Sequence, residues 1–142
     1  MKKLLAMSLF CFLGLASLSA QDAGAGQKDA KEASIVFDKT TQDLGTFSED
    51  NPVVKCSFTF TNKGDAPLVI HQAIASCGCT VPTYTRMPVK PGEKGKLDVT
   101  YNGAGKFPGR FKKSITVRTN AKEQMVRLYI TGTMTESEKN KK

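Results

Sequence analysis

The chain has no tryptophan and only one histidine, His71, among its 142 residues. The first absence removes the large ring that antibody-type sandwiches bury in their core. The second leaves a thiol nucleophile with one candidate base and no acid placed to orient it. It also leaves no second Cys or His pair for a zinc site. No glycine-rich loop has the spacing that cradles phosphate. Asp and Glu are scattered through turns and polar strand faces, without an acid/base pair. No window holds a helical period, and nothing repeats. Acidic residues are outnumbered, 13 against 21 Lys and Arg. No aromatic residues interleave with a basic cluster, so nucleic acid is a poor partner. Together these absences predict a protein that is not an enzyme, with no cofactor and no resident metal.

Long apolar runs are also missing, with one exception at the start. Lys2-Lys3 precedes an apolar run over residues 4–18, which ends in Ser19-Ala20. A basic start, a short apolar run and a small-residue end predict a secretory signal peptide over residues 1–20, cleaved after Ala20. The run is about 15 residues, short of the roughly 18 to 20 that cross a bilayer. Cys11 lies inside it, behind Phe10 and with Ser8 at minus three, which does not suit lipidation. Residues 21–34 carry no large apolar side chain and read as a flexible linker. Residues 135–142 read as a charged, disordered tail. One ordinary domain remains, residues 35–134. Loss of the leader leaves 19 basic against 13 acidic residues, a net +6. A basic surface suits anionic envelope polymers or membrane surfaces, although solubility alone accounts for the excess.

What is present is alternation. Val54, Cys56, Phe58 and Phe60 share one face, and Lys55, Ser57, Thr59 and Thr61 the other. Leu97, Val99 and Tyr101 alternate with Lys96, Asp98 and Thr100. Phe111, Ile115 and Val117 alternate with Lys112, Ser114, Thr116 and Arg118, and Val126, Leu128 and Ile130 with Met125, Arg127, Tyr129 and Thr131. Each reads as a strand with one dry face and one wet face. Asn62-Lys63-Gly64-Asp65, Pro91-Gly92, Asn102-Gly103 and Pro108-Gly109 mark turns, and Asn120-Ala121-Lys122 a hairpin. Strands over 35–37, 53–61, 68–75, 80–84, 95–101, 111–119 and 124–133 give about seven. The fold class predicted is an all-β, immunoglobulin-like antiparallel sandwich. Cys56 has no partner cysteine on the sixth strand, so the usual inter-sheet disulfide is missing. Burial of Phe, Val, Ile and Leu must hold the core, at about 1.5 to 3 kcal/mol per side chain.

Several motifs then follow one another in a recognisable order. They are residues 62–70, Ser76-Cys77-Gly78-Cys79-Thr80, Pro91-Gly92-Glu93, Gly109-Arg110-Phe111 and Val117-Arg118-Thr119-Asn120. In these the chain resembles a secreted bacterial family of unknown function marked by an SCGCT motif, itself similar to Hydin-type and MSP-like domains. The resemblance spans residues 35–132. It implies an exported immunoglobulin-like sandwich, often in Bacteroidetes-like bacteria, and no known reaction. Cys56 is outside the motif.

With Cys11 removed, Cys56, Cys77 and Cys79 remain, an odd count for an exported chain. If the third strand returns alongside the second, all three sulfurs come to one end of the sandwich. Four readings stay open. Cys77 and Cys79 can form a local disulfide across Gly78, which permits a sharp bend. Fully extended, their alpha carbons would be about 6.6 Å apart, near the disulfide limit. Such a small ring is easily reduced. A Cys56–Cys79 bridge would close about 24 residues and contribute about 3 kcal/mol. The thiolates could hold Cu(I) or zinc, with Met87 as a further copper ligand. Finally, the thiols can be plain structural residues, Cys56 above all. His71 reads as a surface histidine and Met87 as a core or edge residue.

The function expected is an exported, non-enzymatic domain with a structural or binding role in the cell envelope, periplasmic or secreted. Its partner would be a protein or a glycan, met at edge strands or end loops. The alternative is a periplasmic thiol-redox or copper-binding protein using Cys77-Gly78-Cys79.

Overall fold

The computed structural model describes residues 30–140. The leader, Cys11 and most of the expected linker lie outside them. Eight strands form: β1 (Ile35–Phe37), β2 (Thr41–Ser48), β3 (Val53–Asn62), β4 (Ile70–Ala75), β5 (Thr80–Tyr84), β6 (Lys94–Asn102), β7 (Gly109–Thr119) and β8 (Met125–Thr135). They make two four-stranded sheets, ordered β1-β3-β6-β5 and β2-β8-β7-β4. The all-β sandwich read from the alternation is the fold observed. Phe58, Phe60, Leu97, Val99, Tyr101, Ile115, Val117, Leu128 and Ile130 all stand in the core, as their period-two positions require.

The strand count is corrected from seven to eight, and the strand outside the expected set is β2. Its two apolar residues, Leu44 and Phe47, are three apart and break the alternation. A bulge is the cause. Asp43 pairs with Thr131 and Thr46 with Thr133, so three steps on β2 match two on β8. Gly45 takes the left-handed conformation there, with φ 72°, and its N–H donates to Asp43 Oδ1 at 2.9 Å. β2 is also parallel to β8, unlike every other pair.

The expected third strand is shorter than read. Leu68 makes only an isolated bridge to Val89, and β4 starts at Ile70. The second and third expected strands are not neighbours, because β3 and β4 belong to different sheets.

At one end of the sandwich Asn62, fully buried, joins several segments. Its Nδ2 donates to the carbonyls of Ala66 (2.7 Å) and Val89 (2.9 Å). Its Oδ1 accepts from the N–H of Gly64 (3.0 Å) and Ser34 (3.3 Å). A side chain at Gly64 would run into the Glu32 backbone, so glycine is required there by close approach. Ala33 is buried and bridges Ala121, which brings chain ahead of β1 into the core. Beyond β8, Glu138–Asn140 forms a 3-10 turn. Ser137 ties it down by donating to Asp50 Oδ1 and Glu49 Oε1. The Ser137 hydroxyl holds the Asp50 carboxyl below the usual carboxylate range.

Candidate functional site at the disulfide corner

The chain crosses from one sheet to the other through residues 76–79. Ser76 still belongs to the β7 ladder, donating its N–H to the Ser114 carbonyl at 2.8 Å. Three residues later Cys79 offers its carbonyl to the Asn102 N–H on β6, at 2.7 Å. A turn closed by Thr80 N–H to the Cys77 carbonyl lies between. Cys77 and Cys79 are joined as a disulfide with alpha carbons 5.3 Å apart, inside the usual range. Both are half-buried. The buried Thr80 hydroxyl sits 3.6 Å from Cys77 Sγ and 3.8 Å from Cys79 Sγ.

Gly78 is not sterically demanded. Its φ is not positive, and an added Cβ would meet open space. The bend comes from the sheet-to-sheet crossover, where the sequence suggested glycine as its source.

The three sulfurs do not come together. Cys56 is a free thiol on β3. It pairs across the sheet with Val99, whose other neighbour is Pro82. Cys79 is therefore two strands and three residues away, roughly 14 Å by sheet spacing, too far for a bridge. The Cys56 thiol is pushed up to about 11, by burial first and then by the nearby Asp98 carboxylate. At neutral pH it is a protonated, inert thiol.

His71 is exposed at the far end of β4, about 20 Å along the strand direction from Cys77. Met87, read as a core or edge residue, is 77% exposed beyond the far end of β5. Neither reaches the disulfide. Among the described residues no group of three His, Cys, Asp or Glu could hold a metal ion, and no helix is long and apolar enough to cross a membrane.

An aromatic plug lies beneath the corner. Tyr101 stacks on Phe111, with centroids 4.2 Å apart and planes 5° from parallel. Phe47 meets both rings edge-on, at 6.0 Å. The three rings come from β6, β7 and β2, so they bind one sheet to the other where the inter-sheet disulfide is missing. Burial pushes the Tyr101 hydroxyl above its usual range.

Beside the disulfide is an open cleft of about 310 Å³ lined by Gly78, Cys79, Asn102, Ala104 and Lys106. The loop between β6 and β7 forms one wall and carries Phe107, which is 96% exposed. The sequence reading passed over Phe107. Its signal was available: a large apolar residue between two Gly/Pro turns, on no strand.

A family model described as "Protein of unknown function (DUF1573)" matches residues 35–134. No curated protein matches the chain. Among solved structures, a protein of unknown function from Porphyromonas gingivalis W83 is similar at 18% identity and TM-score 0.62, over 73% of this chain. The chain spans about half of that protein, 48% of its length. The ASH/PapD-like domain 7 of human CEP192 is similar at 10% identity and TM-score 0.59, over 75% of this chain and 89% of that one. Part of the Vibrio cholerae VesB protease is similar at 16% identity and TM-score 0.53, over 72% of this chain and 31% of that one. At these identities the likeness is one of fold, and the same sandwich serves unrelated roles.

Proposed function

The chain belongs to the DUF1573 family, and we propose that it is an exported, non-enzymatic binding module of the bacterial cell envelope that meets a protein or glycan partner at the disulfide corner. The observation that carries this reading is Phe107. Phe107 is 96% exposed on a short loop beside an open cleft, so its ring gains nothing from burial within the fold and keeps its whole apolar area for burial by a partner. Aromatic residues in such positions anchor interfaces. The corner itself is held by the disulfide, the ladder bonds of Ser76 and Cys79, and the aromatic plug, so the loop is presented from a rigid base. The leader read over residues 1–20 supports export.

The test is a photo-crosslinking amino acid at position 107 in living cells, with position 87, also well exposed at 77%, as the control. A discrete product at 107 and none at 87 supports the reading; matching patterns sink it. Fractionation with N-terminal mass analysis tests export. A mature chain starting at Gln21 outside the cytoplasm is expected, and an uncleaved cytoplasmic chain would overturn that part.

A second reading has its own observation. Both cysteines are half-exposed, and Cys79 lines the same cleft, with Lys106 in its wall. A disulfide closing so short a loop suits thiol–disulfide exchange. Equilibration with glutathione buffers, read by mass after alkylation, tests it. A pair that stays oxidised in strongly reducing buffer would rule exchange out. The copper version finds neither Met87 nor His71 near these sulfurs.

A further inference from the structure

Three of the four arginines in the chain, Arg110, Arg118 and Arg127, stand on the outward face of one sheet. The register places two of them together. One row across β4, β7 and β8 reads Gln72, Arg118, Met125, and the next reads Ile74, Thr116, Arg127. Arg118 and Arg127 are thus diagonal neighbours, about 7 Å apart. Of the other four outer positions of this array, Gln72 and Thr116 are polar, and Ile74 and Met125 are apolar and 49% and 51% exposed. Two adjacent guanidiniums repel, and among the described residues neither has a carboxylate partner. Glu123, in the adjoining turn, is engaged through its main-chain carbonyl by Thr119. Asp43, across on β2, caps Gly45. The basic strip continues with Lys112, whose Nζ lies 4.3 Å over the Tyr129 ring, and then Arg110. A cleft of about 480 Å³ opens beside Arg118, lined also by His71, Gln72 and Gln124.

The opposite sheet makes a useful contrast. Its outward face is basic too, but with Lys55, Lys94 and Lys96, and Asp98 stands among them, bonded to Ser57 at 2.6 Å. Arginine differs from lysine in its planar fork, which matches phosphate oxygens two at a time. Segregating arginine onto one face therefore points to a phosphate-bearing ligand. Half-exposed Ile74 and Met125 stand beside the two arginines, as half-exposed Val36, Val53 and Val81 stand on the lysine face, so the arginine forks set this face apart and its apolar pair lies where it would meet the layer that the phosphates border. Basic and apolar side chains on one face suit the headgroup region of a bilayer.

We propose that the outward face of β4, β7 and β8 docks on an anionic phospholipid surface, with Arg118 and Arg127 holding headgroup phosphates and Ile74 and Met125 entering the interfacial layer. This surface is separate from the disulfide corner and does not depend on its role.

The experiment is co-sedimentation of the purified protein with phosphatidylcholine vesicles, with and without phosphatidylglycerol, over rising salt. Wild type is compared with R118Q/R127Q and with K94Q/K96Q, which removes the same charge from the other sheet. All three share the same N-terminus, and circular dichroism checks their fold. Binding that needs phosphatidylglycerol, weakens with salt and falls roughly thirtyfold in R118Q/R127Q is expected, with K94Q/K96Q near wild type. Equal losses in the two variants would reduce the effect to net charge and overturn the proposal. So would absence of vesicle binding, or binding of soluble polyphosphate without any of vesicles. I74S/M125S is expected to weaken vesicle binding; no change there would overturn the interfacial part.

Discussion

The two ends of the sandwich are closed by different chemistry. At one end Asn62 satisfies two carbonyls and two N–H groups from four separate residues, and chain ahead of β1 is tucked in beside it. That end is wired by directional bonds to backbone. At the other end Phe47, Tyr101 and Phe111 fill the gap between the sheets, and the disulfide turn caps them. Ring packing takes the place of a buried polar side chain there, and the backbone bonds of the turn and of the β6–β7 loop leave Phe107 at the surface. An end closed by a buried polar hub offers a partner little. An end closed by rings can hold a fixed corner and still present an exposed phenylalanine.

Breaking the polar hub should be the most damaging change. Asn62→Ala leaves buried donors and acceptors without partners and is expected to cost about 3 kcal/mol, read by denaturant unfolding. A loss under about 1 kcal/mol would mean that Asn62 is not what closes its end. At the ring end, removing the disulfide in C77S/C79S should cost less, at most about 1.5 kcal/mol, because so short a loop constrains the unfolded chain little. A larger loss would make the disulfide, and not the rings, the clamp. Phe111→Leu keeps the burial but loses the stack, and should cost about 1 kcal/mol. Gly78→Ala is expected within about 0.5 kcal/mol of wild type, since nothing surrounds the position an added Cβ would take.

Cys56 gives the pH dependence. Folding raises its pKa to about 11 from an ordinary 9.0. The neutral thiol is favoured by the fold, so its contribution is fully present below about pH 9 and is lost as pH rises toward 11. Cys56→Ser should flatten the stability profile in that window. Iodoacetamide should label native Cys56 more slowly than an unburied thiol at pH 8, with the gap narrowing above pH 10. Prompt labelling at pH 8 would contradict its burial.

How much of this was legible follows from what each element needed. β3, β6, β7 and β8 announce themselves because a strand with one dry face must alternate, and Phe58, Leu97, Ile115 and Leu128 fall where that rule puts them. β2 was missed because a bulge shifts Phe47 out of phase with Leu44. The corner was legible as residue types, since two cysteines around a glycine are conspicuous. Which sulfurs join was not, because it depends on where β3 lies relative to β5. Phe107 could have been found as an apolar residue stranded between turns; the arginine pair could not, because Arg118 and Arg127 meet only through the β7–β8 register.

Local pattern alone determined that this chain is an all-β sandwich, since alternation and turn chemistry act between residues close in sequence. Sheet membership was decided only in three dimensions. The placing of β6 between β3 and β5 separates Cys56 from the disulfide. The parallel docking of β2 on β8 brings Phe47 to Tyr101 and Phe111. Pairing between strands distant in sequence depends on how two twisted sheets bury their faces together, and no short window of residues records that.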